Sequence, residues 1–153
     1  MFSIEFPDEA LEYIDDDTSI PSAPGRLVLG KSTEEFLASL CAWTKADYQS
    51  HWTRELKALL GGTSKVALIV SYYGNRALNM EIWRLYRDGE LAHFQNQILW
   101  CDTLPYAFDV SKISQYIEDR VVTTADGDRI SEWDVSLRDI EVFLEVGADR
   151  AKS

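Results

Sequence analysis

Histidine and cysteine are scarce in this chain, two of each, and that scarcity removes several chemistries at once. His51 and His93 stand far from each other and from Cys41 and Cys101, so no pair has the spacing from which a local metal site is built. The two cysteines form no CxxC motif, and lone thiols of this kind are expected to be reduced and partly buried. Long apolar runs are missing too: residues 66–70 fall far short of the roughly 20 residues a membrane-spanning helix requires. The opening Met-Phe-Ser-Ile-Glu-Phe-Pro-Asp-Glu has neither the basic nor the apolar region of a secretory signal, which points to the cytoplasm.

No GxSxG elbow, Walker lysine loop or dinucleotide glycine fingerprint occurs, and Gly61-Gly62-Thr63-Ser64-Lys65 lacks the spacing that cradles phosphate. Asp126-Gly127-Asp128 lacks the third acidic position and the following glycine of a calcium loop, so it reads as a turn carrying solvated carboxylates. A single imidazole without an orienting carboxylate makes a poor catalytic unit. No enzyme, metal or cofactor is therefore expected.

What the chain does have is acid. Its net charge of -11 disfavours direct binding to nucleic acid or to an anionic membrane and favours a basic partner. Residues 1–25 hold Glu5, Asp8, Glu9, Glu12, Asp15, Asp16 and Asp17 with no Lys or Arg, a charge of -7. In residues 118–134, Glu118, Asp119, Asp126, Asp128, Glu132 and Asp134 outnumber Arg120 and Arg129, a charge of -4, and the remainder is neutral.

The pattern predicts a single α+β domain with a central antiparallel meander flanked by helices. Prolines and small residues at 19–25 read as an irregular connector, so the boundaries are an acidic segment over 1–25, a domain over 26–147 and a tail over 148–153. Leu27, Val28 and Leu29 suggest a short strand, and Ser32 followed by Glu35 matches a helix-starting capping box. Thr44 and Asp47 cap a second helix, whose Tyr48, Trp52, Leu56 and Leu59 form a buried stripe and which stops at Gly61-Gly62. Three strands follow at 65–73, 78–87 and 90–100, the last two joined by an Asp88-Gly89 turn.

Pairing Arg87 with Glu90 sets Trp83 opposite Phe94 and Leu85 opposite Ala92 on a core face that continues to Ile98 and Trp100. The opposite face, with Met80, Ile82, Arg84, Tyr86, Leu91, His93, Gln95 and Gln97, is mixed and expected to meet solvent. A helix over 109–120, a strand over 129–133 and a helix over 136–146 ending at Gly147 complete the reading.

Trp43, Asp47-Tyr48, Trp52, the strand 66–71, the strand 83–86, the segment 113–120, and Asp126-Gly127-Asp128 with Ile130-Ser131-Glu132-Trp133 together resemble immunity proteins of contact-dependent growth inhibition systems. The resemblance spans roughly residues 27–146. It implies a monomeric, non-catalytic inhibitor that binds one toxin domain of a cognate exoprotein, a toxin that is often a nuclease and here suited to be a ribosome-directed RNase. An acidic inhibitor fits the basic cleft with which such an enzyme grips polyphosphate.

Two surfaces are candidates for the contact: the carboxylates Asp126, Asp128, Glu132 and Asp134, and the open sheet side with Arg84, Tyr86, His93, Gln95 and Gln97. Trp83 and Trp133 read as core. The alternative from another class is an acidic adaptor recognising basic segments of cellular proteins. An enzyme assembled from scattered residues, with His93 or an Asp as base, is the third.

Overall fold

Alternation of apolar and polar side chains shapes the first part of the chain. A computed structural model describes residues 1–7, 13–14 and 20–152. Strands β1 (Phe2–Glu5), β2 (Tyr13–Ile14), β3 (Pro21–Leu29) and β4 (Ser32–Ser39) form one antiparallel sheet, with β1 and β2 along one edge of β3 and β4 along the other. Phe2, Ile4 and Phe6 are buried, as are Ala23, Leu27 and Leu29, so apolar residues at both ends of the acidic segment pack in the core. Asp8, Glu9, Glu12, Asp15, Asp16 and Asp17 lie outside the described residues.

The expected helix at Ser32 is a strand instead. Gly30, at φ +67°, turns the chain so that Leu29 pairs with Ser32, and β4 then follows β3 back to Ser39. A cap contributes about 1 kcal/mol, too little to compete with a full ladder that also buries Phe36 and Ala38. Gly25 sits directly opposite Phe36, whose ring lies where a Cβ would be. That ring also packs edge-on against Phe6 and Trp52.

The second sheet has the order β5 (Lys65–Ser71), β6 (Asn79–Asp88), β7 (Leu91–Trp100) and β8 (Trp133–Ser136), all antiparallel. The meander is as expected, but it is one of two sheets rather than a single central one. Its tight turn is Gly89-Glu90, because Asp88 pairs with Leu91, and Gly89 takes φ +59°. Trp83 consequently faces Asn96, and Leu85 faces Phe94. Slipping both strands by one residue leaves every side chain on its expected face.

Burial differs more than register does. Leu85 and Phe94 are fully buried, with Phe94 against Phe2 of the first sheet, whereas Ile98 and Trp100 on the same face are about half exposed. The face expected to meet solvent is covered: Met80, Ile82, Arg84, Tyr86, His93 and Gln95 are all buried.

Helix α1 (Lys45–Leu60) begins at a true capping box, Thr44 with Asp47, and turns Tyr48, His51, Trp52, Glu55, Leu56 and Leu59 inward. It packs along β5, whose outer edge has no strand partner among the described residues. Unpaired backbone groups buried there would each be costly. Side chains take the place of the missing strand. The Ile69 amide donates to His51 Nε2 at 2.8 Å, and Trp52 Nε1 donates to the Ile69 carbonyl at 2.8 Å. The Tyr72 amide donates to the Tyr48 hydroxyl at 2.8 Å, which itself donates to the Ser39 carbonyl at 2.6 Å. The Ala67 amide donates to Ser114 Oγ, and that hydroxyl donates to Glu55, both at 2.8 Å.

Ser114 lies in a 3₁₀ segment, Val110–Gln115, where an α-helix is expected. Asp109 caps it as predicted, accepting from the Ser111 amide, but Lys112 has non-helical angles. The contact from Ser114 to β5 and the bond from the Tyr86 hydroxyl to the Glu118 carbonyl hold this segment to the sheet in a path a regular helix does not take. The last helix, α2 (Leu137–Lys152), is capped by Ser136 and runs through Gly147 and most of the expected tail. Among the described residues no helix is long and apolar enough to cross a membrane.

Two predictions follow from these contacts. Gly25→Ala, forced against a ring held by Phe6 and Trp52, is expected to cost about 1–3 kcal/mol in urea unfolding. Burial first, and then Arg54, lowers the His51 pKa from 6.5 to about 3, so the unfolded chain takes up the proton that the folded chain refuses. Stability from this neutral ring is complete above pH 6.5 and declines as pH falls toward 3. Unfolding free energies measured across that window should decline less steeply for His51→Gln, which keeps an acceptor but does not titrate.

Candidate partner-binding surface

The register of β6, β7 and β8 aligns polar side chains in rows across the covered face. Tyr86 lies opposite His93 and His93 opposite Asp134, while Arg84 lies opposite Gln95 in the neighbouring row. Glu132, just before β8, reaches the same row: Gln95 Nε2 donates to Glu132 Oε2 at 2.7 Å and to the Val121 carbonyl at 2.9 Å. Arg84 donates to Gln95 Oε1 at 2.9 Å, and its buried Nε has no partner. Arg120 closes the network from above with a bidentate grip on Glu132, at 2.9 and 2.6 Å.

The loop between the 3₁₀ segment and β8 thus lies over the sheet with little regular structure of its own, held mainly by side chains. Its outer end is a small hairpin. Thr123 and Arg129 form a bridge, the Ile130 amide bonds the Val122 carbonyl, and Gly127 at φ +87° turns the tip. Asp126 and Asp128 are exposed there, and neither forms an ion pair among the described residues.

His93 is the pivot of the lower row. Its Nδ1 is 2.6 Å from Asp134 and its Nε2 is 3.0 Å from Asp88, with Glu132 at 3.6 Å. Burial opposes protonation, yet the bonds to Asp88 and Asp134 outweigh it and raise the pKa above the ordinary value. His93, Glu132 and Asp134 bring ligand-type atoms within 4.8 Å of one another, a cluster that sequence spacing hides because β7 and β8 are distant in the chain. Arg120 and Gln95 occupy Glu132, and Asp88 occupies the far side of the ring, so these groups serve one another.

The structure brings part of the two expected surfaces together. Buried Gln95 and His93 bond Glu132 and Asp134, and buried Arg84 bonds Gln95, whereas Asp126 and Asp128 stand exposed on the hairpin tip and bond none of these groups. Gln97 lies farther along β7, opposite Ile82 and half-buried. Asp88 and Arg120 are members that sequence reasoning missed, since only the folded register shows their partners.

The Arg120 bond first, with help from Gln95 and against burial, holds the Glu132 pKa down at about 2. Such a carboxylate contributes stability above pH 4.5 that is lost as pH falls through its folded value. Arg120→Ala is expected to cost about 1 kcal/mol at neutral pH, a figure kept low because the guanidinium is partly solvated. The deficit in urea unfolding should shrink at pH 3, and amide exchange over 116–132 should quicken.

The chain is similar to known proteins over most of its length. A family model, the CdiI N-terminal domain, matches residues 38–143. The immunity protein CdiI of Enterobacter cloacae subsp. cloacae is 30% identical over 121 residues, covering 78% of this chain and 83% of that protein. Among solved structures, a chain of the CdiA-CT/CdiI toxin and immunity complex from Enterobacter cloacae superposes with a TM-score of 0.84 at 26% identity, covering 95% of this chain and 97% of that one. With its two sheets and its edge-packed helix, this chain belongs to the CdiI family of immunity proteins, which are inhibitors and not enzymes.

Proposed function

We propose that this protein, acting as a monomer in the cytoplasm of the producing cell, binds the C-terminal toxin domain of a cognate contact-dependent inhibition exoprotein and neutralises it. The observation that carries this reading is the likeness, over nearly the whole chain, to a chain solved in a toxin and immunity complex. The toxin in this reading is a nuclease, a ribosome-directed RNase, because an enzyme that grips polyphosphate presents Lys and Arg to an inhibitor that is itself acidic. Exposed carboxylates at Glu118, Asp126, Asp128 and Asp134, carried by the loop and the start of β8, suit that cleft. Arg84, Tyr86, His93, Gln95 and Glu132 act beneath them by holding the loop in place.

Co-expression with the toxin domain of the exoprotein encoded beside this chain tests the reading. Growth should be rescued and a stable complex recovered; failure of both would defeat it. Reversing charge with Asp126→Lys and Asp128→Lys is expected to slow association about 10-fold at low salt and flatten its salt dependence. Thermal stability should barely change, since both side chains are exposed. Stopped-flow association at two ionic strengths reads the effect.

A further inference from the structure

The second sheet leaves part of its other face uncovered, where the apolar packing between the two sheets ends. There a groove of about 470 Å³ opens between β4, β6, β7 and the outer hairpin of the loop. Trp83 and Trp133 form its aromatic floor, their rings edge to face at 5.5 Å. Trp83 is buried while Trp133 is half-buried, so the second indole is the accessible one. Glu34, Glu35 and Glu81 line the same groove. Strand alternation places Glu34 on the side of β4 that also carries Phe36 and Ala38, facing the second sheet.

None of these three carboxylates forms an ion pair among the described residues. Burial pushes the Glu81 carboxyl above its ordinary value, and only a 3.4 Å bond from the Asn96 amide works the other way. A half-buried carboxylate whose side-chain partner is a neutral amide is better matched by an incoming cation. Beyond Glu81 the same face continues into Ile98 and Trp100, paired with Glu81 and Asn79 and 52% and 55% exposed. Carboxylates beside an indole face form the environment that a guanidinium or ammonium group prefers, and exposed aromatic and aliphatic side chains next to it supply apolar contact.

We propose that this groove seats an Arg or Lys side chain of the toxin domain, with Glu34 and Glu81 pairing its charge and Ile98 and Trp100 packing against the toxin surface around it. The proposal rests on the toxin-binding reading above and adds a second contact, an anchor, to the steering carboxylates of the loop tip. Anchor and steering carboxylates separate kinetically, because buried charge pairs govern dissociation and rim charges govern association.

The full-length protein is titrated with the toxin domain encoded beside it, as wild type and as the Glu34→Gln, Glu81→Gln double variant. The neutral isosteres are expected to weaken binding about 100-fold, mostly through faster dissociation. Their unfolding midpoint should stay unchanged or rise, since an uncompensated charge has been removed; a merely structural carboxylate would lower it. Ile98→Ala with Trp100→Ala, both at exposed positions, should weaken binding without unfolding the chain. Wild-type affinity in both variants would overturn the groove while leaving the toxin-binding reading intact. Absence of binding by the wild type would overturn both.

Discussion

The outer edge of β5 is the constraint on which the rest of the molecule is arranged. A buried strand edge without a neighbouring strand presents amides and carbonyls that each need a partner, and an orphan costs about 1–3 kcal/mol. Here Tyr48, His51 and Trp52 of α1, with Ser114 from the following segment, take those positions. Because they bond to backbone atoms, they fix the rotation and height of the helix and not only its proximity. Trp52 then stacks on Phe6 and meets Phe36, so the same helix face that completes one sheet also docks the other.

A different solution covers the inner face of β6 and β7. There, buried Arg84, Gln95 and His93 are matched by Glu132, Asp134, Asp88 and the Val121 carbonyl. Polar rows of this kind contribute less to net stability than apolar packing, but they discriminate strongly among loop positions, because a displaced partner leaves a charge or amide unmatched. The loop acquires a defined path without acquiring secondary structure.

Two capping boxes of the same type show what was legible in the sequence and what was not. Thr44 with Asp47 starts a helix because apolar residues then recur at spacings of three and four. Ser32 with Glu35 does not, because Phe36 and Ala38 alternate and β3 lies alongside to pair with them. Local chemistry was alike, a hydroxyl followed three residues later by a carboxylate, and the following period decided the outcome. The turn between β6 and β7 was displaced by one residue, an error that spared the faces. In the first 25 residues the count of carboxylates masked the period-two sequence Phe2, Ile4, Phe6, which is core. At the candidate surface the exposed carboxylates were readable as solvated turn residues. Their buried support was not, since His93 meets Asp134 only through pairing between strands 41 positions apart.

The loop that carries Asp126 and Asp128 is gripped near its two ends, by Tyr86 and Gln95 on one side and by Arg120 with Glu132 near the other, while its tip touches little. Substitutions at the tip therefore leave the grip intact, and substitutions in the grip alter the tip's placement without altering its chemistry. Such a division separates what the tip presents from what holds it: exposed side chains such as Asp126 and Asp128 can be exchanged one at a time, while Gly127 keeps the turn and the polar rows below keep the frame.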